Sequence, residues 1–167
     1  MSKTFKYFLY ILACVFIFVV IAKAYGASFK SKMVSGFEWE KEVNIYLSNG
    51  EKGSSSDCSL VFPVSRKILN AETLGPGTLE MLLNGPTTEE VASGYTSAIN
   101  ENVLIQKFEI LDKVAYVDFN AQFKEGMGGS CKAQTIRSQI ENTLNALPDI
   151  GSVVISVNGE TEGILEP

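Results

Sequence analysis

The stretch YFLYILACVFIFVVIA, residues 7–22, carries no charged side chain and is flanked by Lys3, Lys6 and Lys23. At ~1.5 Å per residue it reaches about 24 Å as a helix, short of a ~30 Å hydrocarbon core but extendable through Phe5 and the snorkelling lysines. It therefore reads as a targeting segment and removes the N-terminus from the soluble fold. The sequence divides into a signal anchor or signal peptide (1–24), a tether of small, polar and basic residues (25–36) and a domain (37–167). Ala22-Lys23-Ala24 fits an A-x-A cleavage site, which gives a secreted protein; left uncleaved, the segment is a single-pass anchor with the domain outside. Lysines on both flanks leave the orientation unset. Eight apolar residues follow Cys14, where an acylated mature start would be polar, so Cys14 is read as a membrane-buried thiol.

Charge separates the same two regions. All 19 carboxylates lie between Glu38 and Glu166, against nine of the 14 basic residues, a net of −10 for the domain. The first 36 residues hold the other five lysines and no acid. A domain this acidic repels phosphate backbones, so nucleic acid is excluded as a partner.

Within the domain, Trp39, Val43, Ile45 and Leu47 alternate around Lys41 and predict a strand centred on VNIYL. The stretch SNGEKGSSSD reads as a flexible loop leading to a second strand, CSLVFPVSRKI, with Leu60, Phe62, Val64 and Ile68 on one side. Pro63 there implies an edge position or a bulge. GPGTLEMLLNGP predicts a helix entered at Pro76 and stopped by Gly85-Pro86, and TTEEVASGYTSAI a helical turn with acids at its start. NVLIQKFEI and KVAYVDFN form a hairpin through Leu111-Asp112-Lys113. A second main helix places Ala133, Ile136, Ile140, Thr143, Leu144 and Leu147 on one stripe, Pro148 ends it, and SVVISVNG is a final strand. The fold class is α+β: about five strands in one mostly antiparallel sheet, with two main helices on one face.

Residues 126–133, GMGGSCKA, sit between strand and helix where a phosphate loop would lie. Cys131 replaces a required glycine and Ala133 a required hydroxyl, so a glycine corner with Ser130 as N-cap is the better reading. A cysteine at a helix entrance can be a nucleophile but needs a base. The chain has no histidine, which excludes Cys-His and Ser-His catalysis, and two domain cysteines are too few for a zinc site. Neither a metal nor a cofactor is expected, and no small-molecule ligand is legible. Glu89, Glu90 and Asp118 remain as candidate acid-base carboxylates of an envelope hydrolase. Their alternatives are structural: Glu89 and Glu90 as acids of a helix start, Asp118 as an acceptor for a loop N–H or for Arg66. Arg66 can instead meet a carboxylate ligand. In an oxidising compartment the two domain cysteines, Cys58 and Cys131, are most simply a disulfide tying the corner to the start of the second strand. Closing a loop of roughly 70 residues stabilises by about 4 kcal/mol in the chain-entropy account.

The ordered set LEMLLNGPTTEEVASGYTSAI, KVAYVDFNAQF and SQIENTLNALPDIGSVVISVNG, with the strand VFPVSR, resembles the GerMN domain, named for a sporulation and spore germination protein. The similarity runs over residues 43–159. It implies an α+β domain outside the cytoplasmic membrane, without catalytic residues, in proteins that assemble at the cell envelope. The expected function is a non-enzymatic, anchored or secreted module acting in binding or assembly of envelope components, with sporulation or germination as its setting. Expected partners are another envelope protein or a second copy, and the membrane through residues 7–22. The alternative is a carboxylate-dependent cell-envelope hydrolase.

Overall fold

The computed structural model describes residues 16–17, 20–21, 40–69, 74–126 and 128–165. The chain divides into two units, Met1–Glu38 and Trp39–Pro167. In the first, Phe16, Ile17, Val20 and Ile21 are helical and exposed; the rest of the segment expected as an anchor, Cys14 and the stretch expected as a tether lie outside the described residues, as does Trp39. Among the described residues no helix is long and apolar enough to cross a membrane.

The second unit contains strands β1 (Lys41–Asn49), β2 (Phe62–Ile68), β3 (Tyr95–Thr96), β4 (Ile105–Leu111), β5 (Val114–Phe119) and β6 (Ser152–Val157). Its helices are α1 (Leu74–Leu83), α2 (Thr88–Ala92) and α3 (Ser130–Asn145). Instead of the single sheet of about five strands that the sequence suggests, the described residues form two three-stranded sheets, ordered β2-β1-β3 and β4-β5-β6. All pairings are antiparallel except β5 with β6. That exception follows from connectivity, because α3 carries the chain back across the sheet before β6 begins. Periodicity finds strands but does not say which edges meet. Both main helices join the two sheets: α3 packs on β1 and β6, and α1 on α3, β1 and β4.

Alternation puts Val43, Ile45 and Leu47 of β1 into the core. Pro63 stands on edge strand β2 opposite Tyr46, whose N–H points away from β2 and donates to Thr143 Oγ1 at 2.9 Å. The N–H that proline lacks would therefore face outward, where no ladder bond is lost. Leu60 precedes the strand and is exposed. The segment expected as a flexible loop is partly ordered: Ser48 and Asn49 end β1, and a 3-10 turn, Gly50–Lys52, is capped by Asn49, whose Oδ1 accepts from Glu51 N at 3.0 Å.

Leu79 and Leu82 of α1 are fully buried, and a Cβ on Gly75 would lie 2.7 Å from the Phe108 ring, so glycine permits this close approach to β4. Asp112 and Lys113 both adopt positive φ, 49° and 64°, the conformation of a tight two-residue hairpin turn. All six residues of the expected α3 stripe are buried, joined by Gln139 at 0% exposure.

Candidate functional site

At the glycine corner, Gly129 occupies the cap of α3 with φ of 107°, a conformation that disfavours side chains. Ser130, expected as the N-cap, is instead the first helical residue. The Lys132 ammonium folds back to Gly126 O at 2.8 Å and Asn100 Oδ1 at 3.0 Å, which closes the corner on itself. Cys131 is bonded to Cys58, their Cα atoms 5.4 Å apart. Thr135 Oγ1 donates toward Cys58 O and Cys131 O, each at 2.9 Å, so the same helical turn grips both ends of the bridge. Asp57, beside Cys58, accepts from Ser59 Oγ and N, and those bonds hold its carboxyl below the usual range.

The three candidate carboxylates are not brought together. Glu89 and Glu90 open α2, where Thr87 N donates to Glu90 Oε2 at 2.8 Å and Thr87 Oγ1 accepts from Glu90 N at 3.4 Å, a capping box. Glu90 also takes Arg66 of β2 in a two-point pair, Nη1 to Oε1 and Nη2 to Oε2, the latter at 2.6 Å. Its carboxyl is held low chiefly by the Arg66 hydrogen bond, and that of Glu89 by its own backbone N–H and then by Thr87. Asp118 lies on β5, in the other sheet. Its Oδ1 accepts from Ser156 Oγ at 2.6 Å and Gly159 N at 2.8 Å. The Gln106 amide, turned so that its nitrogen donates, reaches Asp118 Oδ2 at 3.0 Å and Phe119 O at 3.3 Å. Asp118 thus fastens the β-bulge between Ile105 and Lys107 of β4 and the turn after β6 to β5, accepting a loop N–H as one sequence reading expects, while Arg66 goes to Glu90.

Gln139 is the main polar residue that the sequence reading leaves out. From α3 its Oε1 accepts from Ala98 N at 3.1 Å and its Nε2 donates to Thr96 O at 3.2 Å, which holds the two-residue strand β3 in place. The signal was present, since position 139 follows Ile136 by three and shares its stripe.

Several exposed apolar side chains lie on or beside β4, while Leu60, Leu69 and Val91 are exposed elsewhere. Leu104 is 63% exposed, Leu111 53%, Tyr116 42% and Ile110 41%. Hollows of about 350 and 380 Å³ lie between α1 and β4, walled by Phe108 and Ile110 at one end and by Val103, Leu104 and Ile105 at the other. A third, of about 310 Å³, lies on the face bearing Lys107, Tyr116 and Asp118. Among the described residues no group of three His, Cys, Asp or Glu side chains is placed to hold a metal.

This is a helix-braced α+β module in which Glu90, Asp118 and the Cys58–Cys131 bridge hold its own loops and in which several exposed apolar side chains lie on or beside β4. The chain belongs to the sporulation and spore germination (Germane) family, which it matches over residues 44–163. It is similar to the first GerMN domain of the sporulation protein GerM from Bacillus subtilis, with 20% identity and a TM-score of 0.54 over 72% of this chain and 85% of that one. Against the tandem GerMN domains of the same protein the identity is 26% and the TM-score 0.55, over 77% of this chain and 43% of that one. The chain therefore spans less than half of the tandem structure. No curated protein matches it.

Proposed function

We propose that this chain is an extracytoplasmic GerMN-like module, anchored through residues 7–22 or released after Ala24, that works by binding or assembling with other envelope components and turns over no substrate. The observation that carries the reading is the state of its chemistry-bearing side chains. Glu90 serves Arg66 and a capping box, Asp118 serves Ser156, Gly159 and Gln106, and Cys131 is bonded to Cys58. Surfaces are what remain to act, and the exposed apolar side chains along β4 support that. Tethering would raise local concentration, so weak contacts suffice for assembly. The family's sporulation and germination setting is the process in which this chain is proposed to act.

The test compares crosslinking of the full chain in its native membrane with that of a chain lacking residues 1–36. Crosslinked partners or self-adducts that depend on the N-terminal segment are expected. Monomer under both conditions, together with wall-fragment hydrolysis abolished by single substitution of Glu89, Glu90 or Asp118, would replace the assembly reading with the hydrolase.

A further inference from the structure

We propose that β4 is a self-association edge, pairing antiparallel with β4 of a second copy about a two-fold axis through Phe108. The inference rests on the assembly reading above and names its surface. Among the described residues no strand lies beyond β4 in its sheet. The other edges are interrupted, closed at one end, or short. β2 carries Pro63, which has no N–H to offer an outer partner. The end of β6 is occupied by its own return, Val157 exchanging backbone bonds with Glu160, and β3 has only two residues.

The backbone of β4 is aligned for a partner. In a two-residue hairpin the closing pair, Leu111 with Val114, is hydrogen-bonded, so alternation turns Glu109 toward β5 and directs the N–H and C=O of Phe108 and Ile110 outward. The bulge between Ile105 and Lys107 confines regular pairing to the residues around Phe108.

Charge selects a second copy over an arbitrary strand. Around Phe108 the chain reads QKFEI, and a two-fold axis at Phe108 sets Lys107 of each copy opposite Glu109 of the other. Within one copy Lys107 Nζ already lies 2.9 Å from Glu109 Oε2, so the four charges alternate in sign around the axis. Opposite charges directly across paired strands stabilise and like charges destabilise. The product is a continuous six-stranded sheet, within the ordinary size range.

The full chain in detergent, followed by sedimentation, tests this with four samples: wild type, Lys107→Glu, Glu109→Lys and the double exchange Lys107→Glu/Glu109→Lys. The wild type should associate, and each single reversal should weaken association by roughly tenfold, because like charges then face each other at two symmetric places. The double exchange, and an equimolar mixture of the two single variants, should restore it, which separates pairing from any loss of folding. Equal association of all four overturns the β4 surface while leaving self-assembly through another face. Monomer throughout, with a different envelope protein crosslinked in the native membrane, also overturns it but keeps the assembly reading. Monomer throughout with no crosslinked partner overturns both.

Discussion

Replacing Gln139 by leucine isolates the polar device that attaches β3 to the rest of the domain. The side chain is fully buried, and its amide serves Ala98 N and Thr96 O, at 3.1 and 3.2 Å, on β3 and the chain just after it, more than forty positions away in sequence. Leucine matches the shape but leaves one backbone donor and one acceptor without a partner. Each abandoned buried group costs about 1–3 kcal/mol, and since both backbone atoms are only partly buried the lower end applies, about 1 kcal/mol each. The apolar substitute recovers part of this by burial, so the net loss is about 1–2 kcal/mol, several degrees in Tm for a domain of this size. Urea unfolding measures the total, and amide exchange localises it: protection at Ala98 should fall more than protection at Ile45 in the centre of β1. Asn142→Ala, on the exposed side of the same helix, is the control and should change stability by less than about 0.5 kcal/mol. A Gln139→Leu chain as stable as wild type, with Ala98 exchange unchanged, would refute the assignment of Gln139 as the link between α3 and β3.

Without reductant, Cys58 and Cys131 should resist alkylation in the unfolded domain while Cys14 of any uncleaved chain reacts; reduction should lower stability by about 4 kcal/mol, and two free domain thiols in fresh protein would contradict the bridge. Arg66→Ala should cost about 1–2 kcal/mol at neutral pH, because Glu90 is then left partly buried without its partner. The Glu90 carboxyl is depressed in the folded state, so its contribution is present above the ordinary value of 4.5 and is lost as pH falls through the lower folded value. Acid unfolding curves of wild type should therefore be steeper in that window than those of Arg66→Ala, and identical slopes would sink the linkage. Asp118→Ala releases Ser156 Oγ and Gly159 N–H and should destabilise by about 2 kcal/mol in thermal melts. Unchanged stability with lost wall-fragment hydrolysis would instead make Asp118 catalytic.

Most of the local structure was legible because it depends on short-range chemistry. Alternation in Val43, Ile45 and Leu47, the helical stripe from Ala133 to Leu147, the glycine stop at Gly85, and a hairpin through Leu111-Asp112-Lys113 each follow from the allowed backbone geometries and from burial of one face, though the turn itself is the two residues Asp112 and Lys113. Pro63 marked an edge for the same reason, since a strand with a missing donor is tolerated where its N–H would face outward.

What the tertiary structure decided is pairing over distance. The division into two sheets, the parallel β5–β6 contact, the meeting of Arg66 with Glu90 rather than Asp118, and the reach of Gln139 to β3 all join residues between 24 and 43 positions apart or elements separated by a helix. Sequence periodicity reports which side of an element is apolar and is silent about which element will cover it. That choice is made by the packing of the whole core, where α1 and α3 each pack against both sheets and leave the edge of β4 without a neighbouring strand among the described residues.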